Sequence, residues 1–407
     1  MSKIKFASPD VGRLESKFVA KTIEGKFLTA GEDVTKFEHR VADMCHCDYA
    51  VAFDSCTGAM EMTLRMLNVG PGDEVITTPY TYSATAEVIH NVGARTVFVD
   101  LDGKSFEMDY QKVAAAITDK TKAIIPVDIG GKICNYTALM NIVDAKKDIF
   151  KPNGFIQKEI GRVAIIADAA HSFGAIRNGR MSGEWADFTC FSFHAVKSIT
   201  TGGEGGMVVW KTLFREDLYC ADKNKHIEKM LRLLGDHGQT SRNKDNGWEY
   251  DIALFGYNSI MTNVDAAMGL AQLERFDDIK SKRQAVTRIY DGLFEDVKTT
   301  YGVEPLIQHF GLSYMSAMHL YPIRLPGGEE ERNKVYQYLF GKGILCNVHY
   351  KPLPMMTVYK TNGFDIKDYP NAYKMYASLL TIPYHNDLRV NQQEYIVDQI
   401  RKAVEQL

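Results

Sequence analysis

Short apolar runs alternate with amphipathic stretches through the first half of the chain, and this alternation narrows the fold more than any other feature. Residues 49–53, 74–77, 96–99, 123–127 and 163–167 are such runs, each four or five residues long. Between them, 34–44, 58–67 and 83–91 carry apolar residues at helical spacing. Phe37, Val41 and Met44 share one face of the first, and Met60, Leu64 and Leu67 recur in the second. Strands this short, separated by helices, specify a mostly parallel sheet covered on both faces. Such a sheet places its ligands at the carboxyl ends of its strands. Beyond residue 270 the pattern changes. It predicts a long charge-studded helix over 270–297, a strand at 319–323, a helix at 330–340, a strand at 345–348, and helices at 369–379 and 392–404. The expectation is an α/β domain over 1–277 and a smaller α+β domain over 278–407. Residues 146–161 are polar and include Lys151-Pro152-Asn153-Gly154. They read as a surface loop at the sheet edge away from the carboxyl ends.

Composition excludes several function classes. With 45% hydrophobic and 24% charged residues, the 407-residue chain can bury a large core in two domains. Its net charge is −3 and it has no long Lys/Arg block, which argues against nucleic acid as a partner. Met1-Ser2-Lys3-Ile4-Lys5-Phe6 lacks the apolar stretch of a secretory signal, and no apolar run nears the ~20 residues that span a bilayer. A cytoplasmic location is expected. The seven cysteines are odd in number and scattered, as suits a reducing compartment. Cys45-His46-Cys47 has no second Cys/His pair to complete a metal site, so no metal is expected.

Chemistry concentrates just after the predicted strands. Asp168 closes the run Ala164-Ile165-Ile166-Ala167, and His171 follows one helical turn later. Lys197 follows the apolar run 188–193 and precedes Gly202-Gly203-Glu204-Gly205-Gly206. A buried acid and a lysine, each closing a strand, match the needs of pyridoxal phosphate (PLP). Its aldehyde condenses with a lysine amine, and its pyridine nitrogen needs a carboxylate to stay protonated. Lys197 is the candidate amine and Asp168 the candidate acid. His171 is a candidate for the ring's 3-oxygen side. Tyr82 is the candidate for stacking on the ring, with Tyr80 as the alternative. Ser55-Cys56-Thr57-Gly58 opens a helix after a strand, where free N–H groups and the helix dipole favour a phosphate. Gly58 is expected to let the backbone approach that phosphate, and Ser192 adds a hydroxyl.

Taken together these segments resemble the DegT-type (StrS-type) sugar aminotransferases, fold type I of the PLP enzymes. The markers run in order along nearly the whole chain: Phe27-Leu28-Thr29-Ala30-Gly31, Ser55-Cys56-Thr57-Gly58-Ala59-Met60, Thr77-Thr78-Pro79-Tyr80-Thr81-Tyr82, Asp168-Ala169-Ala170-His171, Ser192-Phe193-His194-Ala195-Val196-Lys197, Gly256-Tyr257-Asn258 and His349-Tyr350-Lys351-Pro352. The resemblance implies an aspartate-aminotransferase-like large domain with a mostly parallel seven-stranded sheet covered by helices, and a small C-terminal α+β domain. It implies a homodimer in which Asn258 reaches the partner's PLP phosphate. It adds Thr29, Gly31, His349 and Tyr350 as substrate candidates. Three departures stand out. Ile260 replaces an arginine common in relatives, Ala195 replaces a frequent proline, and residues 146–161 are longer than usual.

The function so implied is amino transfer from glutamate to a keto-sugar, nucleotide-linked, for surface polysaccharide or secondary-metabolite synthesis. One alternative is a PLP-dependent sugar dehydratase, whose relatives carry histidine in place of the lysine. Another is a non-catalytic regulator on the same fold, which need not keep Lys197, Asp168, Ser192 and Thr57 together. A nicotinamide dehydrogenase is disfavoured because no G-x-G-x-x-G links a first strand to a helix.

Overall fold

The computed structural model describes residues 3–213, 220–241 and 246–406. Its centre is a seven-stranded sheet of β1 (Tyr49–Phe53), β2 (Glu74–Thr77), β3 (Arg95–Phe98), β4 (Thr121–Ile125), β5 (Ala164–Asp168), β8 (Phe188–Ser192) and β9 (Gly206–Trp210). The spatial order is β1-β9-β8-β5-β4-β2-β3. Within it β3, β2, β4, β5 and β8 run parallel, and only β9 is antiparallel to its neighbours β8 and β1. The two-residue strands β6 (Ile176–Arg177) and β7 (Arg180–Met181) pair with β11 (Tyr314–Met315). A third sheet, β10 (Glu304–Pro305), β12 (Tyr321–Arg324) and β13 (Leu379–Ile382), is antiparallel.

Both faces of the large sheet are buried, which is why its strands are apolar at every position rather than at alternate ones. One face packs Ile76, Ile124, Ile165 and Phe191 against Phe37, Val41 and Leu139 from the helices beyond. The other packs Val75, Ala123, Ile166 and Cys190 against Met60, Leu64 and Ile89. A separate core forms around Tyr290, Phe294, Tyr321, Ile323, Leu339 and Ile396 in the C-terminal part. Ile4 also joins this core, bridging to Ile344, so the start of the chain packs with its end. Among the described residues no helix is long and apolar enough to cross a membrane.

Several expected elements differ from those observed. The long helix over 270–297 is two helices, Asn263–Glu274 and Phe276–Tyr301, broken at Arg275. Arg275 leaves the helical conformation where its guanidinium pairs with Asp10 and Glu15. Residues 345–348 are not a strand. Asn347 exchanges backbone bonds with Thr381 alone, at 2.9 and 2.7 Å, and the chain then turns away toward the large sheet. The predicted loop over 146–161 contains the helix Phe155–Ile160. Gln157 anchors it, its amide donating to the Leu67 carbonyl at 2.5 Å. Asn153 beside it donates to Asp73 at 2.7 Å. Asp73 precedes β2, so this segment does lie at the amino-terminal edge of the sheet.

Candidate active site

Parallel strands deliver their following loops to one edge, and here that edge gathers the polar residues. Ser55 follows β1, the 78–85 turn follows β2, Asp168 ends β5 and Ser192 ends β8. Adjacent strand ends are stitched together. Asp168 N–H donates to the Pro126 carbonyl at 2.9 Å, and Asp128 N–H donates to the Asp168 carbonyl at 3.0 Å.

Lys197 sits in a tight loop between β8 and β9. Phe193 N–H bonds the Gly205 carbonyl at 2.8 Å, Ala195 N–H the Gly203 carbonyl at 3.2 Å, and Thr201 N–H the Phe193 carbonyl at 3.0 Å. Gly202 and Gly205 hold positive φ there, which is why the glycine cluster follows the lysine. Lys197 is half-buried, and among the described residues its amine makes no ion pair. Burial pushes its pKa below the ordinary lysine range, with the charge of Asp168 opposing that shift.

Asp168 is buried. Burial raises its pKa, opposed by a hydrogen bond from Thr85, the Ala170 N–H and the charge of Lys197. His171 is buried too and held neutral, its pKa driven well down by burial and then by Lys197 and His349. Gly130 N–H donates to His171 Nδ1 at 3.2 Å. The ring proton therefore resides on Nε2, which lies 3.3 Å from the Tyr350 hydroxyl. Tyr350 and Tyr82 bring their rings to 6.2 Å between centroids. His349 Nδ1 lies 3.1 Å from Thr381 Oγ1. The site thus joins loops of the large sheet to a segment from the C-terminal part.

Tyr80 and Tyr82 occupy opposite environments. Tyr80 is 0% exposed and its hydroxyl donates to the His349 carbonyl at 2.8 Å, so its ring face is sealed in the core. Tyr82 is 64% exposed and offers a free aromatic face at the edge. Ser55 caps the helix Cys56–Met66, its Oγ accepting from Gly58 N–H at 3.0 Å. The first-turn N–H groups of Cys56 and Thr57 have no intrahelical acceptor. Cys56 itself is buried, its Sγ facing the Cys190 carbonyl. Gly58 also has a reason within the chain itself. A Cβ there would stand 2.3 Å from Ser259 Oγ and 2.6 Å from Asp54 Oδ1. The close approach is made by the chain's own side chains.

This donor set fits PLP on physical grounds. A half-buried amine without an ion-pair partner is available to an aldehyde, and a buried carboxylate beside it can pair with a ring nitrogen. The family model for the DegT/DnrJ/EryC1/StrS aminotransferases matches residues 9–401. The chain belongs to that family.

Among its relatives is the spore coat polysaccharide biosynthesis protein SpsC of Bacillus subtilis. It is 31% identical over 410 residues, covering 98% of this chain and 97% of that protein. GDP-perosamine synthase of Caulobacter vibrioides is 30% identical and covers 100% of this chain and 99% of that protein. Among solved structures, Spr1654 of Streptococcus pneumoniae, a proposed sugar aminotransferase in its pyridoxamine (PMP) form, superposes with a TM-score of 0.93. It has 38% identity over 99% of this chain and 98% of that one. Its PLP form superposes at 0.92. The fold is therefore that of the DegT/DnrJ/EryC1/StrS aminotransferases, fold type I, and the cofactor is PLP.

Other candidates make no direct hydrogen bond to Lys197 among the described residues. Thr29 and Asn258 are exposed and Gly31 is half-buried. Thr29 and Gly31 adjoin Asn263, whose N–H meets the Leu28 carbonyl at 3.1 Å and the Thr29 carbonyl at 3.3 Å. Among the described residues no hydrogen bond joins them to Asp168, His171 or Lys197. Ser192 is buried and its Oγ accepts from His194 N–H at 3.3 Å. The sequence reading missed two residues of this DegT/DnrJ/EryC1/StrS site. His319 brings its ring to 4.2 Å from that of His171. Thr85 bonds Asp168 directly. His319 was hidden at the start of an expected strand. Thr85 lies in the first turn of the helix after β2, and no local pattern ties it to Asp168, 83 residues on.

Proposed function

We propose that the chain transfers the amino group of L-glutamate to the ketone of a nucleotide-linked sugar, yielding 2-oxoglutarate and an amino sugar. The carrying observation is the pair Lys197 and Asp168, coupled by charge at one sheet edge in a member of this aminotransferase family. The relative named GDP-perosamine synthase supports a nucleotide-linked acceptor. The relative named for spore coat polysaccharide biosynthesis supports a product destined for a surface polysaccharide.

Bound PLP supplies the aldehyde that accepts the amino group and an electron sink for the substrate carbon. Lys197 anchors the cofactor and, when released, moves the proton off the donor's α-carbon. Its depressed pKa keeps a larger fraction of the amine unprotonated for that work. Asp168 holds the ring nitrogen protonated. Tyr82 covers one ring face, and the Ser55-Cys56-Thr57-Gly58 turn, through the first-turn N–H groups of Cys56 and Thr57, receives the phosphate together with Ser192. His171, neutral with Nε2–H, orients at the 3-oxygen side. Thr29, Gly31, His349 and Tyr350 contact the substrate, and Ile260 leaves the acceptor without the arginine common in relatives.

The working unit is a homodimer in the cytoplasm, each site completed by the partner's Asn258. The aromatic surface beside Asn258 supports this: Phe255 is 99% and Trp248 75% exposed, with Tyr250 and Ile252 also open. The six described cysteines are free thiols, as a reducing compartment requires.

Borohydride reduction of the PLP-loaded protein should fix the cofactor to the peptide containing Lys197. Glutamate alone should then yield one equivalent of 2-oxoglutarate per site in unreduced protein. A label on any other lysine removes the assignment, and absence of 2-oxoglutarate removes the donor. A non-catalytic regulator would fail the second measurement.

A further inference from the structure

The Asp168 carboxylate is held from behind by a chain of hydroxyls. Thr85, 0% exposed in the helix Ala84–Asn91, donates from Oγ1 to Asp168 Oδ2 at 2.7 Å. Thr81, also buried, places its Oγ1 2.9 Å from Thr85 Oγ1. A hydroxyl has one proton and an ionised carboxylate can only accept. The Thr85 proton therefore goes to Asp168, and the Thr81 proton must go to Thr85. The chain runs one way, and its second bond strengthens its first. Asp168 Oδ1 receives its own donor, Ala170 N–H, at 3.2 Å. Each oxygen thus has one fixed donor, and donors aimed at a carboxylate favour its charged form against the cost of burial. Thr85 is also β-branched, so a helix leaves its χ1 two main rotamers, and the one adopted here aims the hydroxyl at Asp168. Its N–H donates to the Tyr82 carbonyl at 3.3 Å, so one turn carries both the exposed ring and the acid's support.

We infer that Thr85 is a positioning residue for Asp168, and that Thr81 acts through it. Together they fix the carboxylate's orientation and keep it ionised to meet the cofactor's ring nitrogen. The inference rests on the assignment of Asp168 made above. Thr85→Val keeps shape and removes the donor, and Thr85→Ser restores it. Three quantities are measured: melting of the apo-protein, PLP dissociation by absorbance titration, and the pH profile of the bound chromophore.

Thr85→Val is expected to weaken PLP binding about tenfold or more, the loss of a bond to a charged group. It should also move the chromophore's pH profile, while Thr85→Ser stays near wild type in both. Wild-type affinity and an unmoved profile in Thr85→Val would overturn the inference. If Thr85→Val does not fold, Thr81→Val decides. It leaves the Thr85–Asp168 bond in place and should weaken PLP binding about threefold; an unchanged constant overturns the inference. Asp168→Asn is run alongside. If Asp168→Asn binds and turns over normally, the assignment of the acid itself is wrong. If it fails while Thr85→Val behaves as wild type, only the role of Thr85 falls.

Discussion

Burial pushes Asp168 and Lys197 in opposite directions, the acid up and the amine down, and each charge partly restores the other. Removing one charge therefore changes the partner as well. Asp168→Asn leaves the amide able to accept from Thr85, so the fold should persist. A neutral amide cannot hold the ring nitrogen protonated, and turnover should fall by about three or more orders of magnitude. Near-normal turnover of Asp168→Asn would exclude the assigned role. At His171 the tautomer is set by Gly130 N–H, and its Nε2–H has Tyr350 as acceptor. Tyr350→Phe removes that acceptor from a buried N–H. The expected loss is about 1 kcal/mol, seen as a lower melting temperature of the apo-protein. An unchanged melting temperature would mean that the pair contributes nothing.

The turns after the strands do their work through buried anchors, and Asp128 after β4 is the clearest. Its carboxylate accepts from Cys134 N–H at 2.8 Å, Tyr136 hydroxyl at 3.0 Å and Ser172 hydroxyl at 2.7 Å. Ser172 adjoins His171, so this knot fixes the loop that sets the histidine. Burial pushes the Asp128 pKa up to about 6 despite those bonds. Since the folded value lies above the unfolded one, the stabilising contribution is complete below pH ~4 and is lost as pH rises through ~6. A displacement of that size is worth about 3 kcal/mol. Asp128→Asn keeps all three bonds by turning its amide N–H toward Ser172. The variant should lose this pH dependence, so its melting temperature relative to wild type should rise between about pH 4 and pH 6. Parallel pH profiles for the two proteins would contradict the shift. At the start of β9, a Cβ on Gly206 would stand 2.2 Å from Cys56 N and Ser55 C. Gly206→Ala should lose about 3 kcal/mol and weaken PLP binding with it, because the strand would push the helix start out of place.

At the scale of the whole molecule, the proposed dimer assigns Asn258 to the partner's site, while its neighbour Ser259 bonds Asp54 of its own chain at 2.7 Å, beside the Ser55–Gly58 turn. Mixing Lys197→Ala subunits with Asn258→Ala subunits puts both defects in one site of each mixed dimer and leaves the other intact. Activity of the mixed dimers should recover to about half of wild type. No recovery above the parents, with subunit exchange verified, would mean that Asn258 serves its own chain or none.

What the sequence determined by itself was local and periodic. The apolar runs specified the strands, since residues buried on both sheet faces must be apolar whatever their neighbours are. The parallel direction followed from the helices between them, and with it the edge where Ser55, Tyr82, Asp168 and Lys197 meet. The order of motifs was enough to place the chain in its family. Tertiary structure decided the rest. Arg275 breaks a continuous helical pattern because Asp10 and Glu15, remote in sequence, pair with it. Residues 345–348 read as a strand, yet the chain leaves the sheet to bring His349 and Tyr350 to His171. Gly58 exists for Ser259, and Thr85 for Asp168. In each case the deciding contact spans a long stretch of chain. Periodicity and local propensity carry no information about which distant side chain will arrive.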